Sequence, residues 1–351
     1  MKAALFTILL LGVATAGHAQ LAGLHDPREK HLAHVRQLTF GGQNAEAYWS
    51  PDSKRLTFQA MTGAMKADQI YTMTADGKRV RRVSTGEGRC TCSFFVNGGK
   101  EILFASTHGF SPAIPPDPDR SQGYVWPIYD TYAIWIARPD GSNLRPLYPP
   151  VVQPGVKTGY NAEAVVSPDG KRVLFTSTRN GDLDLYTMNV DGTGLRQITN
   201  TLGYDGGGFF SPDGKKIVWR ANHPQTPEAK LAYLKLLRQN LVRPTVMELW
   251  VADSDGANAR QITNNGAANF APFFTPDGQK ILFASNVDDP QRRSFELYLI
   301  NLDGTGLERV TYGAQFDSFP MFSPDGKRLV WASNRNGKDH ETNIFVADWV
   351  P

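Results

Sequence analysis

Apolar and polar positions along this chain fall into short runs that keep returning. Residues 209–219, FFSPDGKKIVW, read as two β-strands around a tight turn. Nearly the same words recur at 48–58 (YWSPDSKRLTF), 165–175 (VVSPDGKRVLF), 273–283 (FFTPDGQKILF) and 321–331 (MFSPDGKRLVW). Runs this short, rich in β-branched and aromatic residues and bounded by Pro, Asp and Gly, predict strands rather than helices. The turn has a mechanism: Pro presets φ at its second position, Asp suits the third, and Gly takes the left-handed position that closes the hairpin.

Each unit carries four such runs. In the third they are AEAVVS (162–167), KRVLFTS (171–177), LDLYTMNV (183–190) and GLRQIT (194–199), with a DG turn between the last two. Six units can be counted, the second with a worn turn, FVNGGK (95–100). A four-stranded sheet apolar on both faces cannot bury itself; several such sheets packed face to face around an axis bury one another. The expected fold is therefore all-β, a six-bladed β-propeller of four-stranded antiparallel blades over residues 35–351. The chain opens its repeats with a lone fourth strand, VRQLT (35–39), and stops after a third strand, NIFVADWVP (343–351). Pairing the two would complete the last blade and remove two exposed edges.

The SPDG and DG turns share one rim, so the longer loops share the other, and that second rim is where function is expected. Counting six residues back from each turn Ser or Thr gives Asn44, Asn161, Asp205, Asn269 and Asp317, with Cys90 in the worn blade. One polar residue per blade predicts a ring at the channel mouth, and its oxygens would also suit calcium. The bland alternative is that Asn and Asp before a strand merely order the turn. Glu46 and Glu163 follow two residues later and are expected to point inward. Blade two carries an insertion, 107–132, with the aromatic residues Tyr124, Trp126, Tyr129 and Tyr132. Blade four carries another, 222–244, in which Thr226–Pro227 signals a helix start and Leu231, Leu234, Leu237 and Leu241 form a stripe.

The repeat SPDGK…LF…DG…LRQIT resembles the WD40-like repeat of the TolB propeller family over nearly all of 35–351. The resemblance implies the fold and a cell-envelope setting, but it names no ligand. The N-terminal domain that TolB places before its blades has no room between the predicted cleavage site and the first strand.

Composition adds limits. A net charge of +3 over 351 residues, without a basic stripe, argues against nucleic acid. Lys2 precedes an apolar run at 3–16 and small residues up to Ala19, the pattern of a secretory signal (1–19) followed by a linker (20–34). No later segment is apolar enough to span a membrane; the signal and the TolB resemblance together imply an exported, periplasmic protein, expected as a monomer. The only cysteines, Cys90 and Cys92, sit two apart on one strand, at the far edge of disulfide geometry.

There is no G-x-S-x-G elbow, no H-E-x-x-H and no P-loop. Outside the N-terminal region the histidines are His108, His223 and His340, all between second and third strands of alternate blades. Oligogalacturonate-lyase-like propellers use histidines around a metal, which makes His108 and His223 candidate ligands. The leading expectation is a non-catalytic module, without a cofactor, that binds a protein, peptide or glycan of the cell envelope. The alternative is a metal-dependent polysaccharide lyase or hydrolase acting at the channel mouth.

Overall fold

In a computed structural model, which describes residues 24–121, 123–313 and 316–351, six four-stranded antiparallel sheets are arranged as successive blades. The secretory segment expected at 1–19 lies outside the described residues. The innermost strands are Gln43–Trp49, Cys90–Val96, Asn161–Val166, Tyr204–Phe210, Asn269–Phe274 and Asp317–Phe322. Each hairpins into a second strand whose residues are almost wholly buried, such as Arg172–Ser177 and Lys280–Ser285.

The expected ring closure is present. Strand Leu32–Gln37 pairs antiparallel with Asn343–Trp349 and is the fourth strand of the last blade. It begins at Leu32, three residues before the segment read from the sequence. The residues ahead of it are also held: Glu29 is 1% exposed and pairs with Arg335 of blade six, whose guanidinium also binds Asp317 (2.8 Å) and Leu24 O (2.8 Å).

The turn chemistry is reinforced by side chains. In the third blade Ser167 Oγ donates to Asp169 Oδ1 (2.6 Å) and accepts from Arg172 N (2.9 Å), while Gly170 takes φ +73°. The same arrangement recurs at Ser211, Thr275 and Ser323, and at Ser50, where Ser53 takes the left-handed position instead of Gly.

Every inner strand contains a β-bulge at the same place, two residues after the ring position. The bulged residues are Glu46, Cys92, Glu163, Gly207, Ala271 and Phe319, all with φ between 48° and 62°. A bulge turns one side chain out of the alternation and tightens the local twist. Below the bulges, Tyr48, Phe94, Phe209, Phe273 and Met321 close round the axis, with ring centroids 5.1–5.8 Å apart for Tyr48–Phe94, Tyr48–Phe209 and Phe209–Phe273.

Candidate functional site

The polar ring is an inter-blade joint rather than a channel lining. Asn44, Asn161, Asp205, Asn269 and Asp317 are at most 3% exposed, and none lines the channel cavity. Asn161 donates to Thr158 O (3.0 Å) and Tyr132 O (3.2 Å) and accepts from Ser177 Oγ (2.8 Å). Asn269 repeats this with Met247 O and Ser285 Oγ, and Asn44 donates to Thr342 O (2.9 Å) of the preceding blade. Where the ring residue is Asp, its partner is an indole: Trp219 Nε1 on Asp205 (2.6 Å) and Trp331 Nε1 on Asp317 (3.1 Å). The side-chain oxygens of Asn161, Asn269, Asp205 and Asp317 thus already accept donors from their own blades, as residues that order a turn and a joint do. Cys90 is buried at the same joint, donating to Ser106 Oγ (3.4 Å), and burial pushes its thiol up to about 11. Both cysteines are free.

The histidines are likewise engaged. His108 Nδ1 lies 2.8 Å from Ser106 Oγ against the Trp135 ring, and burial pulls its pKa down to about 4. His223 Nε2 is 3.0 Å from both Asp205 oxygens, packed on Trp250. Neither lines the cavity, and among the described residues no three His, Cys, Asp or Glu side chains converge as metal ligands.

The two insertions do converge. Trp126–Pro127 of the blade-two insertion pairs antiparallel with Leu241–Val242 of the blade-four insertion, passing over the rim of blade three. Ile128 N donates to Asn240 O (2.7 Å), and Asn240 Nδ2 to Asp130 Oδ2 (3.1 Å). The helix forms at Pro227–Leu237, capped by Thr226 Oγ1, which accepts from Ala229 N (3.2 Å). Its docking face is not the leucine stripe expected from the sequence. Tyr233, Leu234 and Leu237 pack down, whereas Leu231 is 70% exposed. At 3.6 residues per turn Leu231 lies about 115° from the centre of that face. Tyr233 OH also donates to Asp182 of blade three.

Roofed by this ribbon, the loop-rim mouth becomes a cavity of about 890 Å³. Tyr124, Trp126 and Tyr129 line it as expected, together with Tyr160, Tyr204, Phe270, Phe316 and Phe319. Trp126 reaches across to blade five, 5.0 Å from the Phe270 ring, and donates to Tyr124 OH (3.0 Å). At the floor stand the bulge residues Glu46, Cys92 and Glu163. Glu163 is saturated: it accepts from Thr176 Oγ1 (2.7 Å), Gly207 N (3.0 Å), Tyr204 OH (3.3 Å) and Arg220 Nη2. Arg220 is 9% exposed, lies over the Trp126 and Tyr204 rings, and donates from Nη2 to Tyr204 OH (2.8 Å).

Arg220 was not foreseen, although the signal was there. The residue after the aromatic of the second strand is Ala in three blades (Ala105, Ala284, Ala332), but Gln59, Thr176 and Arg220 in the others. Each of these three reaches a bulge of a neighbouring blade: Gln59 Oε1 accepts from Cys92 N (3.0 Å) of blade two, Arg220 holds Glu163 of blade three, and Thr176 Oγ1 accepts from Gly207 N (3.3 Å) of blade four while donating to Glu163 of its own blade. The triple glycine at 206–208 is the other half of that signal. Also missed was the loop 286–295, which brings Arg292 and Arg293 to the mouth; Asp289 shapes it by accepting from Arg293 N and Ser294 N, both at 2.7 Å.

The turn rim is less plain than the tightness of its turns suggests. A second cavity of about 460 Å³ opens there, lined by Phe94, Phe209, Phe273, Met321 and the turn prolines.

Comparison with known proteins gives the following. The family model of the TolB β-propeller domain matches residues 229–348. A TolB homolog of Chlorobium chlorochromatii is 27% identical over 138 residues, 33% of this chain and 31% of that protein. The chain spans about a third of the length of the curated relatives it matches. Among solved structures, a putative TolB from Agrobacterium tumefaciens superposes with a TM-score of 0.58 at 19% identity, covering 90% of this chain and 97% of that one. An oligogalacturonate lyase in complex with manganese gives 0.51 at 13% identity, covering 90% and 93%. At such identities the structural likenesses speak for the fold alone.

Proposed function

Because this chain belongs to the TolB-type WD40-like β-propeller family, we propose that it is an exported, non-catalytic binding module that receives a segment of a cell-envelope protein at its loop-rim mouth. The observation that carries this reading is the ribbon between Trp126–Pro127 and Leu241–Val242, which turns an open channel into a roofed aromatic cavity. The cavity falls in the size range of ligand sites, and its rigid Tyr and Trp side chains offer large contact area at small entropic cost. Two joined insertions fix the aromatic groups before any partner arrives, which lowers the ordering cost of binding. The TolB likeness and the secretory pattern at 1–19 support the envelope setting.

The test is site-specific photo-crosslinking in envelope extract. A photoreactive residue replaces Tyr124, 55% exposed on the roof, or Leu307, 47% exposed beside a DG turn on the other rim. A discrete crosslinked product is expected from position 124, lost when Trp126→Ala is added, and none from 307. Products from 307 alone, or a product at 124 indifferent to Trp126→Ala, would place binding elsewhere.

A further inference from the structure

The floor of the cavity carries one unmatched charge. Glu163 and Arg220 neutralise one another, and Asp68 faces Arg89 Nη1 at 3.6 Å. Glu46 has no such counterpart. Its Oε2 is shut off from water and meets no hydrogen-bond donor among the described residues. The carboxyl's neighbour is the Cys92 thiol, a weak donor, and no arginine or lysine forms an ion pair with it among the described residues; a cavity-lining carboxyl without a counter-ion favours a cationic ligand.

The surroundings specify that donor. The cavity above Glu46 is walled by the rings of Tyr160, Tyr204, Phe316 and Phe319, whose faces attract cations. A carboxylate among aromatic faces suits an organic cation, as Arg220 between Glu163 and the Trp126 and Tyr204 rings illustrates in the same cavity. The mouth, by contrast, carries Arg120 and Arg293, which suit an anionic outer portion of the same ligand. Glu46 itself is presented by the blade-one bulge at φ 51°, a conformation unusual for Glu.

We propose that the cavity recognises an organic cation, an ammonium or guanidinium group of a peptide, seated on the carboxylate of Glu46. The inference rests on the loop-rim binding reading and names the chemistry of what enters. The groups facing Glu46 are Cys92, Glu163, Arg220, Asp68 and the buried Tyr48. Burial, the largest influence, pushes its pKa up to about 7. A cationic ligand favours the ionised carboxylate, so affinity rises with pH up to about 7 and then levels while the ligand stays protonated.

The experiment uses two small probes on the full chain, phenethylammonium and its neutral counterpart 2-phenylethanol, with affinities from ligand-detected NMR titration. Phenethylammonium is expected to bind about thirtyfold more tightly at pH 8 than at pH 5.5, since pH 5.5 lies about 1.5 units below the carboxyl's pKa and each unit is a factor of ten. Glu46→Gln should remove that pH dependence and the preference over 2-phenylethanol, while Glu46→Asp retains part of both. Equal affinity of the two probes for the native chain at pH 8, no binding of either, or a preference that survives Glu46→Gln overturns the proposal. Crosslinking through position 124 separates the two readings: a product unaffected by Glu46→Gln leaves the loop-rim module standing and the cation site refuted.

Discussion

The guanidinium of Arg220 occupies the space that a side chain at Gly207 would need: a Cβ there would stand 2.0 Å from Nη1. The bulge of blade four is thus a slot, and Arg220 reaches through it to Glu163 of blade three. Gly207→Ala is expected to expel the guanidinium and strand Glu163. Breaking a buried ion pair costs about 3–5 kcal/mol. Urea unfolding measures it; a loss below about 1 kcal/mol would show that the pair re-forms around a methyl group.

The buried ring makes a different prediction from a ligand-binding ring. Asn161→Ala leaves Ser177 Oγ, Thr158 O and Tyr132 O without their partner. The expected loss is about 1–3 kcal/mol of stability, the desolvation cost of orphaned groups. Crosslinking from position 124 should be unchanged under conditions where the variant is folded. A lost crosslink at full stability would restore the ring to the binding surface.

Closure depends on more than strand pairing. Arg335 is held between Glu29 and Asp317, all three at most 9% exposed. Arg335→Ala leaves two buried carboxylates unpaired and should cost about 3–5 kcal/mol. It should also expose residues 24–31 to limited proteolysis, because Leu24 O and Glu29 lose their common donor. Unchanged cleavage would mean that strand Leu32–Gln37 alone anchors the segment.

Glu46 should make stability depend on pH in an unusual sense. Its folded pKa is raised to about 7 by burial, so between its ordinary value and about 7 the folded state holds a proton that the unfolded chain has lost. Stability from this group is therefore complete at low pH and falls as pH rises through that window. Glu46→Gln carries no such charge. Its melting temperature should exceed that of the native chain at pH 8 and approach it near pH 4, the difference at pH 8 reaching about 2–3 kcal/mol. A constant difference across pH would show that Glu46 does not titrate in that range.

The repeat, the blade count and the ring closure were legible because they depend on local rules. SPDG sets a turn through φ preferences and a Ser–Asp hydrogen bond within a few residues, and alternating apolar runs set strands whatever lies beyond them. The rim bearing the long loops followed from chain order alone. Glu46, Glu163, Tyr124, Trp126 and Tyr129 could be picked out as exceptions to the repeat. What tertiary structure alone decided was direction and partnership. Asn161 and Glu163 are two residues apart, yet one locks a blade joint and the other faces the channel, because a bulge between them breaks the strand's alternation. Arg220 and Glu163 are 57 residues apart, and Trp126 and Val242 belong to different blades; such pairs form only when the ring has closed and brought neighbouring sheets into contact. Side-chain chemistry chose the candidates, and the packing of one blade on the next assigned their roles.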